Sequence, residues 1–437
     1  METVEEITYR RKKKKGKKAE LLKNLPVEEV HCYLNDNECN CESCGDKLRP
    51  LGQKVTREEV IFIPATLKKK VFIEHSYECL SCRESEAHSI KRAQSPKPVL
   101  QRSFAGPSVL AWLFHQKYEL GLPLYRQEKE WQQYGLQISR KTMSNWIIRS
   151  SQDWLEPIYG LLREHLNKED VIHADETPYQ ILKRPDGRPA TSDARIWLFQ
   201  TDELCKKSVI YYYSSLTRAR DNIEEVLSSY QGYIHCDGYS AYQNMSNLQV
   251  VACWAHVRRK FFEAGDDQGM AAIGKNYCDR LFLLEKQFKH LPPSKRKKQR
   301  QKYSLPLLTE FWNWLSSFPV LAKSKLGVAI AYTQRLKAEL MAFIDDGRLV
   351  LSNNLAERNI RPLTIGRKNF MFSTSVAGAK ANCVAYTLIA TAKANCLNAF
   401  KYLSLLFEHL PNLDFYRKPE LLEEYLPWSD QMQSVCK

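Results

Sequence analysis

Apolar positions along the chain change their period several times, and each change predicts an element. Over 107–152 they recur at helical spacing, with Leu110, Leu113 and Phe114 on one face. Gly121-Leu-Pro123 interrupts that pattern, 125–134 resumes it, and Gly135 stops it again. Ser139 suits the N-cap of a helix over 140–149, and 156–165 predicts another. From Val171 the pattern shortens to strands. A brief apolar run ends at Asp175, Asp186-Gly187 has the form of a hairpin turn, and 195–200 and 208–214 alternate. An amphipathic helix over 220–230 leads to further strands at 232–237 and 250–254. Hairpin strands, a helix, then a strand returning beside the first predict a mixed sheet with a crossover helix.

A helical insertion at about 265–345 comes next. Ile273, Tyr277, Leu281, Leu284, Phe288 and Leu291 step by three and four, a stripe expected to be bundle core. Pro292-Pro293 ends it, 295–302 is densely basic, and 307–318 and 326–344 predict more helices. A short strand is expected at 349–351. Asn354-Leu-Ala-Glu357 has the form of a capping box with Asn354 as N-cap. Closing helices are expected at 381–394 and 399–410, and no chemistry is legible after Lys401.

Charge adds a partner to this outline. Against 50 acidic residues stand 65 Lys and Arg, a formal +15, which favours a polyanion, nucleic acid by default. No apolar run approaches the ~20 residues of a membrane span, and the N-terminus lacks a signal-peptide h-region. The 13 cysteines are odd in number and mostly scattered singly, as in a reducing cytoplasm. A nearly all-basic run at 10–18 reads as an arm that orders on phosphate, or as a solubilising tail. Cys41-x-x-Cys44 and Cys79-x-x-Cys82 each present two thiolates to one tetrahedral Zn²⁺. With strands expected at 55–64 and 71–77 between them, they predict a zinc ribbon, although Cys32 or Cys39 could substitute as ligands. Helix, glycine turn, then a helix carrying Arg140, Lys141, Thr142 and Asn145 has the form of a DNA-reading helix-turn-helix. An ordinary helical hairpin fits the same spacing.

Candidate chemistry centres on three carboxylates. Val171-Ile-His-Ala-Asp-Glu-Thr177 delivers Asp175 to a strand end, Ile234-His-Cys-Asp-Gly-Tyr239 does the same for Asp237, and Glu357 stands on a helix. In a basic chain such a set points to Mg²⁺ or Mn²⁺ and two-metal phosphoryl transfer on nucleic acid. The plainer reading makes the aspartates turn residues and Glu357 a helix cap. Glu176 should point to the opposite face of its strand, so Glu176→Gln should be milder than Asp175→Asn. His256 and Arg259 follow the fifth strand, and Arg358, Arg361, Arg367 and Lys368 crowd around the third acid, so all six join Arg140, Lys141 and Asn145 as candidate DNA contacts.

The strand order resembles the ribonuclease H-like fold, and the chain from about 25 to 410 resembles transposases of the insertion sequence 66 family. His173-Ala-Asp-Glu-Thr177, Asp237-Gly-Tyr239, Cys253-Trp-Ala-His-Val-Arg-Arg-Lys-Phe261, Asn353-Asn-Leu-Ala-Glu-Arg358 and Gly366-Arg-Lys-Asn369 carry that resemblance. It implies an Asp-Asp-Glu triad of Asp175, Asp237 and Glu357, a zinc ribbon at Cys41, Cys44, Cys79 and Cys82, a helix-turn-helix, and accessory proteins from the same element. Two features depart from it: Ser352 stands where the family often has an acidic residue, and 1–28 is short and basic where the family commonly has a coiled-coil stretch.

The expected fold class is therefore multidomain α+β. A basic arm (1–30), a zinc ribbon (31–92) and a helix-turn-helix (103–152) would precede a ribonuclease H-like domain (153–400) and a helical tail (401–437). The expected function is a DNA transposase that cuts element ends and joins them to target DNA, acting in the cytoplasm on the nucleoid, with homo-oligomers on DNA. The rivals are a nuclease without strand transfer, a silent DNA-binding relic, and a zinc-ribbon scaffold for other recombination proteins.

Overall fold

The computed structural model describes residues 22–23, 27–29, 31, 46–47, 49, 53–55, 57, 59–60, 65–78, 90–185, 187, 194–243, 245–265 and 269–437. The chain divides into two units, Met1–Ala65 and Thr66–Lys437, and the second holds the sheet, the helices around it and the three candidate acids. The basic run 10–18 and Cys41, Cys44, Cys79 and Cys82 lie outside the described residues. The strand expected at 71–77 is shorter than its pattern. Among the described residues of that stretch, only Ser76–Glu78 pairs, antiparallel to Ile90–Arg92.

The anticipated mixed sheet is present, with five strands: β1 (Val171–Pro178), β2 (Arg195–Thr201), β3 (Ile210–Ser215), β4 (Gly232–Cys236) and β5 (Leu248–Ala252). Their order is β3-β2-β1-β4-β5. β2 runs antiparallel to both β1 and β3, whereas β1 pairs with β4, and β4 with β5, in parallel. The β1–β4 register sets His173 beside His235. Two residues further along each chain stand Asp175 and Asp237, so the register itself brings the two aspartates to one end of the sheet.

Three helices precede the sheet: α1 (Pro107–Phe114), α2 (Leu124–Gln133) and α3 (Arg140–Ser150). Gly135, at φ +84°, makes the turn into α3. Ser139 caps α3 as expected, its Oγ accepting the Thr142 N–H at 3.2 Å. A π-helical turn at Ser151–Leu155 carries α3 straight into α4 (Glu156–Leu166), so the helix does not end near 150 as its pattern suggested. After the sheet come α5 (Asp221–Val226), between β3 and β4, and α6 (Trp254–Ala264), directly after β5.

The insertion is helical, as predicted: α7 (Met270–Phe288), α8 (Pro293–Gln299), α9 (Leu305–Leu315), α10 (Lys325–Arg335) and α11 (Lys337–Met341). It packs with Val251, Trp254, Val257 and Phe261 into a core separate from the one that unites α1–α4 with the other face of the sheet. One expectation fails here. Ile273 of the predicted stripe is exposed, and its turn is buried through Ala271, Gly274 and Cys278 instead. In the basic run 295–302, Arg296 and Arg300 are both buried. The Arg300 guanidinium pairs with both Glu285 oxygens at 2.7 and 2.8 Å and donates to the carbonyls of Phe343, Asp346 and Leu349.

The chain closes with α12 (Asn354–Phe370), α13 (Val376–Ala394) and α14 (Ala399–His409). α13 lies along β3, the edge strand. There Thr387 Oγ1 accepts the Tyr212 N–H at 2.9 Å, and Thr391 Oγ1 accepts the Ile210 N–H at 3.1 Å and donates to the Ile210 carbonyl. Two outward amides of the edge are thus satisfied by a helix. Thr391→Val should leave a buried donor and acceptor unmet and cost about 1–3 kcal/mol; chemical denaturation of the variant beside the wild type measures it.

Candidate active site

Asp175 lies near the C-terminal end of β1, half-buried, with its Oδ1 accepting the Glu176 N–H at 2.9 Å. Burial pushes its carboxyl up to about 7, and the carboxylates of Glu176, Asp237 and Glu357 push in the same direction. Both of the other acids predicted from the sequence are thus felt at Asp175. Asp237 follows β4 in a turn that accepts only glycine next. Gly238 has φ +83°, and a Cβ there would meet Leu336 Cδ1 at 2.5 Å. The Asp237 side chain accepts the Tyr239 N–H at 2.9 Å, and its carbonyl receives the Tyr332 hydroxyl of α10 at 2.6 Å.

Glu357 enters from α12, which packs across β1 and β2. The capping-box reading is corrected here. The N-cap is Asn353, not Asn354, and its side chain makes no capping bond. Asn353 Nδ2 instead donates to the Ala174 carbonyl at 2.7 Å, and its Oδ1 meets His173 Nδ1 at 3.1 Å. A helix start is thereby fastened to the backbone one residue before Asp175. The strand expected at 349–351 is a loop, fixed by Trp254 N–H donating to the Leu351 carbonyl at 2.8 Å. Glu357 itself is flanked by His256 Nε2 at 3.7 Å and Arg259 Nη2 at 3.6 Å. Its Oε1 is buried without a hydrogen-bond partner.

Glu176 pairs with Arg218, which stacks over Tyr239 at 3.8 Å. Beneath the acids, His173 bridges Asn353 and Asp202 and stacks on His235 at 4.5 Å. Burial, then the neighbouring His173 and Arg300, hold His235 well below its usual value and keep it neutral.

The predicted DNA contacts fall into two groups. Arg140, Lys141 and Asn145 are exposed along α3, and Arg358, Arg361 and Lys368 are exposed along one face of α12. His256 and Arg259 face Glu357. Arg367 is half-buried and engages the Pro178 carbonyl and Thr177 Oγ1, so its guanidinium ties α12 to the end of β1. A cleft of about 400 Å³ beside the third acid is lined by Ala255, Arg258, Arg259, Phe262, Phe282 and Asn354. Sequence reasoning assigned no role to Asn353, His173 or Asp202. They touch across 180 and 29 residues of chain, and no local pattern announces such contacts.

Comparison with known proteins decides the family. Residues 102–381 of the 437 match the profile described as "Transposase IS66 family". The chain belongs to that family. Residues 38–83 also match the "zinc-finger binding domain of transposase IS66", so the Cys41, Cys44, Cys79 and Cys82 region of this IS66-family protein is a zinc-finger domain. Two relatives from Sinorhizobium fredii (strain NBRC 101917 / NGR234) are similar over nearly the whole chain. "Uncharacterized protein y4jD" is 27% identical over 434 residues, 95% of this chain and 82% of that relative. "Uncharacterized protein y4hP" is 29% identical over 425 residues, 91% of this chain and 74% of that relative. IS66-family membership points to a transposase and DNA-binding role. No helix among the described residues is long and apolar enough to cross a membrane.

Proposed function

We propose that this IS66-family protein is an Asp-Asp-Glu transposase that cuts the ends of an insertion sequence and joins them to target DNA by two-metal phosphoryl transfer. The observation that carries the reading is the approach of Asp175, Asp237 and Glu357 from two parallel strands and a helix: burial raises the Asp175 carboxyl to about 7, and the charges of Glu176, Asp237 and Glu357 add to it. The strand order supports it: with β2 alone reversed, β3-β2-β1-β4-β5 is the order of a ribonuclease H-like domain. The site fits Mg²⁺ or Mn²⁺, because its donors are hard carboxylate oxygens and the Glu357 Oε1 is unmet. Asp175, Asp237 and Glu357 would hold the ions, which when bound supply Lewis-acid polarisation of the phosphodiester and a nucleophilic oxygen at neutral pH.

The remaining work falls to the chain. Asn353 and Tyr332 fix the backbone at Ala174 and Asp237, so the acids need little reorganisation. Arg358, Arg361 and Lys368 offer phosphate contacts along α12, joined by Arg259 beside the third acid. Residues 103–152 act as the helix-turn-helix, with Arg140, Lys141 and Asn145 toward DNA. Homo-oligomers on DNA, accessory proteins of the same element, and a nucleoid location in the cytoplasm complete the proposal.

The test is a cleavage and strand-transfer assay on linear DNA carrying the flanking element's ends, with Mg²⁺ or Mn²⁺. Metal-dependent cutting and joining is the expected result. Cutting without joined products would leave a nuclease, and end binding without cutting, even with the neighbouring gene products added, would leave a DNA-binding relic. In the zinc-finger domain, Cys41, Cys44, Cys79 and Cys82 should hold about one Zn²⁺ per chain. Elemental analysis of protein purified without chelator checks this, and finding none would sink the assignment.

A further inference from the structure

Cys253 is the N-cap of α6, and the first turn of that helix stands against the first turn of α12. Cys253 Sγ, a ring nitrogen of His256 and a carboxylate oxygen of Glu357 lie within 4.8 Å of one another. The thiol is fully buried, unbridged, and accepts the Asn353 N–H at 3.2 Å, which fixes its position. Two atoms at this junction are buried without any hydrogen-bond partner: His256 Nδ1 and Glu357 Oε1. The 3.7 Å between His256 Nε2 and Glu357 Oε1 is too long for a hydrogen bond. It approaches the roughly 3.4 Å between two ligands of a tetrahedral ion with bonds of about 2.1 Å. Arg259 engages only the other carboxylate oxygen, Oε2. One sulfur, one imidazole nitrogen and one carboxylate oxygen form a donor set for zinc-like ions, whereas Mg²⁺ avoids sulfur.

We propose that Cys253, His256 and Glu357 form a second metal site, selective for borderline divalent ions such as Zn²⁺ or Co²⁺, and that its occupation inhibits catalysis by drawing Glu357 away from Asp175 and Asp237. Binding exchanges the thiol proton of Cys253 for a metal–sulfur bond, with the proton released to solvent. Three protein ligands leave a fourth position open, as in a reactive or inhibitory site and unlike a closed structural one. The binding half stands on this geometry alone, and the inhibitory half rests on the transposase reading.

The experiment titrates full-length protein carrying one Zn²⁺ per chain, that of the zinc-finger domain, with Co²⁺. A further Co²⁺ bound through sulfur is expected, seen as a thiolate-to-cobalt charge-transfer band. Cys253→Ser should abolish the band, Glu357→Gln should weaken Co²⁺ binding at least about tenfold, and Asp175→Asn should change neither. A band that persists in Cys253→Ser, or no Co²⁺ bound beyond the resident zinc, overturns the site. In the Mg²⁺ cleavage assay, added Zn²⁺ should slow the wild type and spare Cys253→Ser, each compared with its own uninhibited rate. Equal inhibition of both overturns the inhibitory half. An intact cobalt band in a protein that never cleaves DNA supports the site and counts against the transposase reading instead.

Discussion

Asp175→Asn lowers Mg²⁺-dependent cleavage and joining of element ends by about 10³-fold or more, equivalent to roughly 4 kcal/mol of transition-state stabilisation. Asparagine keeps the shape and the oxygen that accepts the Glu176 N–H. It loses the charge that would hold a divalent ion. The same substitution should not destabilise the fold. Asp175 is forced up to about 7 first by burial and then by Glu176, Asp237 and Glu357, so a neutral side chain removes a repulsion that the folded chain otherwise bears. The variant should therefore melt at the same temperature as the wild type or higher, while its activity collapses. Glu176→Gln should leave most cleavage intact. Its carboxylate is the partner of Arg218, but burial and Asp237 hold its carboxyl above the usual carboxylate range, so the change should alter stability little. Equal loss of cleavage in both well-folded variants would argue against Asp175 as the metal ligand. Parallel rate measurements with Mg²⁺, and thermal melts without added metal, make the comparison.

Arg300→Ala should be the most destabilising single change in the insertion, at about 3–5 kcal/mol. The side chain is fully buried, and truncation would strand Glu285 as an unpaired carboxylate. It would also leave three carbonyls, those of Phe343, Asp346 and Leu349, without their donor. Arg300→Lys should recover only part of the loss, because one ammonium cannot reproduce a planar fork that meets a carboxylate and three carbonyls together. Urea denaturation of the three proteins measures this. A loss below about 1 kcal/mol for Arg300→Ala would mean that the clamp is replaced by water. Because Leu349 lies just ahead of Asn353 and α12, the loosened variant should also lose cleavage, through Glu357, without any change at the acids themselves.

The parts of the site that the sequence revealed are those whose chemistry is local. Asp175 and Asp237 each end an apolar run, and a parallel β1–β4 pairing leaves them little choice but to be neighbours. The sheet was legible for the same reason, since a turn signal separates β2 and β3 from β1, although both strands bury consecutive residues and not one face alone. The inward turn of Arg296 and Arg300 was not legible, because a lysine-rich run reads the same whether or not two of its members turn inward to cap carbonyls. Glu357 was found for a reason that proved incomplete. Its capping-box spacing is present, yet Asn353 spends its side chain on Ala174 and His173 and leaves the helix start uncapped. Such partners are chosen by tertiary packing, which periodicity does not encode.

The two threonines of α13 also bear on how the molecule fails. β3 reads Ile-Tyr-Tyr-Tyr-Ser-Ser, six residues with no charge, no proline and high strand propensity. Such a segment, left open, templates intermolecular cross-β stacking. Thr387 and Thr391 are thus a sheath as well as a cap. A partly opened chain that sheds α13 before the sheet melts presents an unguarded sticky edge, and its path then leads to aggregates and not back to the native state.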